Sequence, residues 1–86
     1  MDLKQRFEAA VEESKNLPSR PDNQTLLQLY GLFKQASLGD NPGVKPSNPF
    51  DIVGKAKYEA WAKWTGMPAE EAMTKYLEIF EKLKSA

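Results

Sequence analysis

Two segments of the chain carry side chains whose types and spacing suit the capture of an anion. Leu27, Tyr30 and Lys34 are spaced three and four apart, so on a helix they form one ridge running apolar, aromatic, cationic. Further along, Val53, Ala56, Ala60, Trp61 and Trp64 fall on one stripe at helical spacing, with Lys57 in its middle. A lysine so placed must snorkel to water, pair with a carboxylate, or meet an anion supplied from outside. Together, ridge and lysine suit a ligand with a greasy part, a flat ring and a negative group. Each residue also has an ordinary reading. An exposed leucine needs no explanation, Lys34 can complement a helix C-terminus, and Lys57 can reach water along a bundle edge. Tyr76, central on a later apolar face, reads by default as a core tyrosine with its hydroxyl satisfied.

Other chemistries find no support. Cys and His are both absent, which removes thiolate and imidazole ligands for a structural zinc and every Cys–His or Ser–His nucleophile. No metal site is expected. The carboxylate pairs Glu12/Glu13 and Glu70/Glu71 sit on polar faces, where solvated charge is the usual state. No strand precedes a glycine-rich phosphate loop. Twelve basic and twelve acidic side chains balance, and the basic ones are scattered, so nucleic acid is not an expected partner.

The elements that must position these residues are helices. Eighty-six residues make one domain, 1–86. A chain this short buries only about 60–65 % of the surface its unfolded form exposes, so its core must rest on well-packed apolar faces. The apolar residues recur at helical spacing in four places, and no stretch alternates as a strand would. Leu3, Phe7, Ala10, Val11, Ser14 and Leu17 mark the first helix, closed by Pro18 and Pro21. The second follows Asp22 as N-cap and runs through Leu26, Leu29, Tyr30, Leu32, Phe33 and Ala36 to Gly39. The third is expected over Ile52–Thr65, ended by Gly66. The fourth takes Pro68 in its first turn and turns Ala69, Ala72, Met73, Tyr76, Ile79, Phe80 and Leu83 to one face. The segment Gly39–Asp51, rich in proline, glycine and asparagine, is long for a loop in so small a domain, which hints at a role beyond connection. No apolar run approaches the ~20 residues that span a bilayer. The N-terminus is charged and periodic rather than leader-like, so the chain is expected to be cytoplasmic, without stable membrane insertion.

Longer motifs add a resemblance. YGLFKQASLGD at Tyr30–Asp40 and GKAKYEAW at Gly54–Trp61 resemble the signature of the acyl-CoA-binding protein family: Tyr-x-x-Tyr/Phe-Lys-Gln-Ala, then Gly-Asp, then Gly-Lys-Ala-Lys-aromatic-acidic-Ala-Trp. AEEAMTKYLEIFEKL at Ala69–Leu83 is similar to the family's fourth helix. The resemblance implies an all-α fold, a skewed four-helix up-down-down-up bundle with a long loop between helices 2 and 3. It implies a monomeric carrier and pool buffer for medium- to long-chain fatty acyl-CoA, needing no cofactor beyond the ligand it carries and meeting acyl-CoA-using enzymes transiently. By the same resemblance Tyr30, Lys34 and Lys57 hold the ribose 3′-phosphate and Tyr76 packs against the adenine. Leu26 and Leu27 line the acyl path, with Ala10, Lys15 and Phe33 at its rim.

Three departures accompany the match. Phe33 stands where the family often has tyrosine. The loop through Ser47–Val53 is one residue longer than usual and puts Val53 where a ligand-side lysine is common, leaving that contact missing or supplied by Lys45 or Lys55. Met67 falls at an expected N-cap, which costs about 1 kcal/mol relative to Ser or Thr. Two other function classes compete with the carrier. A helical protein-interaction module would use the same apolar ridge as a groove for a partner helix. A thioesterase would need a base and an oxyanion site, and neither is found in the sequence.

Overall fold

The computed structural model describes residues 2–17 and 20–85. Four helices account for the regular structure: α1 (Leu3–Ser14), α2 (Asn23–Leu38), α3 (Ile52–Ala62) and α4 (Ala69–Ser85), with no strand among the described residues. Aspartates start the first three. The Asp2 carboxylate accepts from Gln5 N at 2.8 Å while the Gln5 amide oxygen accepts from Asp2 N at 3.2 Å, closing a capping box on α1. Asp22 accepts from Thr25 N at 2.7 Å and Asp51 from Gly54 N at 2.9 Å, capping α2 and α3 in turn. Helix α4 is matched to its dipole instead, with Glu70 and Glu71 in its first turn and Lys82 and Lys84 in its last.

Three boundaries differ from the sequence reading. Helix α1 stops at Ser14, so Leu17 lies beyond it, though it still packs on the core. Of the two prolines expected to close it, Pro18 lies outside the described residues. Helix α3 ends at Ala62 rather than Thr65. There the ladder tightens: Trp64 N donates to Trp61 O, Thr65 N to Ala62 O, and the Thr65 hydroxyl also takes the Ala62 carbonyl, before Gly66 turns the chain at φ +91°. Helix α4 starts one residue late. The Pro68 carbonyl accepts from Ala72 N at 3.0 Å, so Pro68 holds the cap position expected for Met67. Met67 is half-buried and packs against the core.

The core is built from α1, α2 and α4: Phe7 and Ala10, Leu29, Leu32 and Ala36, then Ala72, Tyr76, Leu77 and Phe80. Helix α2 is the hub, packing against both α4 and α3, while α1 lies on α4. Helix α3 contributes no buried residue, and Lys57 stands exposed rather than central in a packed stripe. The cause is how α3 is seated. It packs against α2 alone, through half-buried residues such as Ala60 and Trp61, and leaves Val53 in solvent. The result is a slab of 39 × 28 × 16 Å, thin enough that the gap beside α3 stays open as a shallow bowl.

Candidate functional site

Tyr30 is the centre of the bowl. It is half-buried on α2, and two ammonium groups from different helices flank its ring. Lys34, one turn further along α2, places Nζ 5.8 Å from the Tyr30 ring centroid and 5.8 Å from that of Trp61. Lys57, from α3, places Nζ 5.4 Å from the Tyr30 ring. Ammonium groups within about 6 Å of a ring face gain only ~0.5–1 kcal/mol at exposed sites, so these contacts orient the lysines without consuming their N–H donors. The two ion pairs among the described residues join Lys15 to Glu12 and Lys84 to Glu13, so neither bowl lysine is neutralised by a carboxylate.

The convergence depends on α3 being held close to α2. At Gly31 the two backbones nearly touch: a Cβ there would strike the Ala60 carbonyl and lie 3.0 Å from Trp64 Cδ1. Trp61 Nε1 donates to the Gly39 carbonyl at 2.8 Å, tying α3 to the end of α2. Asn41 Nδ2 donates to the Tyr58 carbonyl at 3.1 Å, tying the long loop to α3. A second clasp lies beside these. Gln35, fully buried, donates from Nε2 to Asp40 Oδ1 at 2.8 Å and to the Met67 carbonyl at 2.9 Å, and Gly66 N donates to the same Asp40 oxygen at 2.8 Å. The Gly66 amide first, and the Gln35 amide second, hold the Asp40 carboxyl below the usual carboxylate range.

Three depressions meet at Tyr30. One, of about 340 Å³, lies between α1 and α2, bounded by Val11, Ser14, Lys15, Leu26, Phe33 and Tyr76. A second, of about 370 Å³, runs between the first turns of α2 and α3, walled by Leu26, Leu27, Ile52, Val53, Ala56 and Lys57. The third, of about 400 Å³, opens under the long loop, where Val44, Lys45, Lys57, Tyr58 and Trp61 surround it. Chemically these are an apolar cleft with an aromatic wall, an apolar groove edged by two cations, Arg20 and Lys57, and a cationic corner backed by an indole.

Most of the residues expected from sequence come together here. Tyr30 and Lys57 line the cationic corner, with Lys34 Nζ over the Tyr30 and Trp61 rings that border it; Leu26 and Leu27 line the groove, and Lys15 and Phe33 border the α1–α2 cleft. Tyr76 borders that cleft too, but it is buried. Its ring meets Phe7 edge-on at 5.1 Å and its hydroxyl donates to Ser14 Oγ at 3.3 Å. Burial pushes its phenol above the ordinary tyrosine value, against a smaller downward pull from the Ser14 bond. Ala10 is not with the others: it is buried in the core and edges a separate depression between α1 and α4. Lys45 shares the cationic corner with Lys57, whereas Lys55 points to the outer side of α3 with Pro46 and Pro49.

The model of a family described as acyl CoA binding protein matches residues 4–80, nearly the whole chain and all of the bowl. The chain belongs to the acyl-CoA-binding protein family. Its relatives include an acyl-CoA-binding protein homolog of Drosophila melanogaster, 47 % identical over 81 residues and covering 94 % of this chain and 93 % of that one. Another homolog, from Manduca sexta, is 41 % identical across 96 % of this chain and 92 % of its own length. Among solved structures, the crystal structure of Oryza sativa acyl-CoA-binding protein 2 superposes with a TM-score of 0.90 at 34 % identity, covering 98 % of this chain and 92 % of that one. The all-α, four-helix fold is therefore shared.

Several residues that shape the bowl of this acyl-CoA-binding protein family member were not singled out from sequence. Gly31 sits inside a helical run, where glycine costs about 1 kcal/mol against alanine, and that mismatch was the available signal for a close backbone approach. Gln35 and Asp40 lie within the Tyr30–Asp40 motif, but nothing local marks a glutamine as buried. Trp61 lies on the apolar stripe of α3, and helical spacing says nothing of the Gly39 carbonyl that its indole N–H reaches.

Proposed function

We propose that this protein binds medium- to long-chain fatty acyl-CoA in the bowl around Tyr30 and acts as an intracellular carrier and pool buffer, holding the thioester without reacting it. The observation that carries the reading is the pair of lysines, Lys34 and Lys57, brought from two helices to one tyrosine ring with no carboxylate paired to either. A ribose 3′-phosphate needs converging cationic donors. An acyl chain needs an apolar trough, and the groove walled by Leu26 and Leu27 begins beside the same ring. A purine needs an aromatic or apolar face, for which the cleft bordered by Phe33 and Tyr76 is suited. The family membership and the names of the relatives point the same way. A helix-binding module is less favoured, because the trough ends in cations and would meet a partner's apolar face poorly.

Calorimetry tests the assignment. Long-chain acyl-CoA should bind at least about a hundredfold more tightly than free CoA, since burying only some four methylenes at ~0.8 kcal/mol each supplies that factor. The heat-capacity change should be negative. The thioester should survive incubation with the protein. Equal affinity for CoA and acyl-CoA would overturn the carrier reading, and release of free CoA above the buffer rate would favour an esterase.

A further inference from the structure

The long loop and the first turn of α3 carry four exposed apolar side chains: Val44, Ile52 and Val53 edge the bowl, and Phe50 has no place in it. Phe50 is 87 % exposed, Ile52 79 %, Val44 77 % and Val53 66 %. Phe50 is held outward by a tight turn, in which Asp51 N donates to the Asn48 carbonyl and Phe50 N to the Asn48 side chain. It lies outside all three depressions that meet at Tyr30. Ile52 and Val53 form the outer lip of the acyl groove. Soluble monomers rarely leave several large apolar residues so exposed in one place without a partner for them.

Charge selects the partner. The whole chain is neutral, but the stretch Val44–Tyr58 holds Lys45, Lys55 and Lys57 against one acid, Asp51, whose carboxylate is engaged as the α3 cap. Arg20 faces the same groove from the other side, and Glu59 follows on the outer flank. We infer that this face, with Phe50 at its tip, docks the protein on an anionic lipid bilayer, Phe50 and Ile52 entering the interface while Lys45, Lys55 and Arg20 meet the headgroups. Interfacial binding of this kind combines a small apolar insertion with electrostatic attraction to anionic lipid. Two copies facing each other through the same patch would oppose their lysine excess, which disfavours a symmetric dimer. Phe50 projects rather than lining a groove: the depression of about 280 Å³ beside it, between Pro46, Pro49 and Lys55, does not include it. The inference extends the proposed carrier function: the lip of the acyl groove is the part that touches the bilayer, so a chain can pass between groove and membrane with little exposure to water.

The test uses ligand-free protein and vesicles of phosphatidylcholine with or without phosphatidylserine, read by co-sedimentation. Binding should require phosphatidylserine and fall at high salt. Phe50→Ser should weaken it roughly tenfold, the loss expected for one large apolar group leaving the interface. The same variant should keep the wild-type melting temperature and acyl-CoA affinity in solution. Absence of binding, equal binding to phosphatidylcholine alone, or equal binding of Phe50→Ser would overturn the proposal, as would a dimer that Phe50→Ser dissolves. Acyl-CoA affinity in solution is measured separately, so its absence would strike the carrier function and leave the vesicle result to decide docking by itself.

Discussion

Replacing Gly31 by alanine sets two effects of opposite sign against each other. In an exposed helix interior the change is favourable by about 0.8–1 kcal/mol, because alanine loses less backbone entropy. In α2 the new methyl would lie 2.7 Å from the Ala60 carbonyl carbon and closer still to its oxygen, both backbone atoms of α3. Backbone cannot rotate away as a side chain tip can, so α3 must retreat by on the order of 1 Å, and overpacking of this kind costs about 1–3 kcal/mol. The clash wins. A net loss on the order of 1 kcal/mol lowers the melting temperature by about 4–8 °C in a domain of this size. The retreat also carries Lys57 and Trp61 away from Tyr30 and Lys34, so acyl-CoA affinity should fall by about tenfold, a weakening rather than a full loss of one hydrogen bond to a charged group. Thermal unfolding and calorimetry read the two effects, with Ser37→Ala, on the exposed side of α2, as the propensity-only control. A Gly31→Ala protein as stable as the control, with unchanged affinity, would refute the close seating of α3 as the device that assembles the site.

Other outcomes follow from the same contacts. The Asp40 carboxyl has a depressed folded-state value, so its contribution is present above the unfolded value near pH 4 and is lost as pH falls through the folded one. Melting temperatures followed into acid should therefore drop more steeply for the wild type than for Asp40→Asn. Tyr76 shifts the other way: its raised value means stability held below about pH 10 and lost as pH rises past it, a decline that Tyr76→Phe should reduce. At neutral pH, Tyr76→Phe should cost no more than about 1 kcal/mol, since it removes one hydrogen bond of 3.3 Å and keeps the ring on Phe7.

How legible each part was in the sequence follows from how local its causes are. Helix α4 was readable because its apolar face is wide, continuous and buried against two partners. Asp22 and Gly39 marked the ends of α2 through a side-chain cap and a positive-φ glycine, though Gly39 takes an extended ψ (φ 81°, ψ −151°) rather than the αL turn expected of it. The end of α3 was not readable, because it depends on a run of tightened turn bonds and a threonine hydroxyl rather than on Gly66 alone. The ridge Leu27–Tyr30–Lys34 was visible from spacing, since all three belong to one helix. Lys57 was harder. A helical wheel put it in the middle of an apolar stripe, and the stripe is real in composition but only half-buried in fact. Wheels describe one helix at a time, whereas the pairing of Lys57 with Lys34 is set by Gly31, Trp61 and Asn41 acting between elements. The exposure of Phe50 was equally hidden, since a phenylalanine in a loop looks the same in sequence whether it folds under or projects.

Convergence of Lys57 and Lys34 on the ribose 3′-phosphate is decided by a cycle of two proteins and two ligands. Wild type and Lys57→Ala are titrated with a long-chain acyl-CoA and with its 3′-dephospho form. Hydrogen bonds to charged groups are worth about 1.5–3 kcal/mol, so Lys57→Ala should weaken the phosphorylated ligand by roughly one to two decades. It should leave the dephosphorylated ligand almost unaffected, a coupling of at least about 1 kcal/mol. Because Lys57 is exposed in the free protein, its loss should leave the fold intact, and an affinity change cannot be blamed on unfolding. If Lys57→Ala weakens both ligands equally, or neither, Lys57 is a surface cation and the phosphate does not sit between the two lysines.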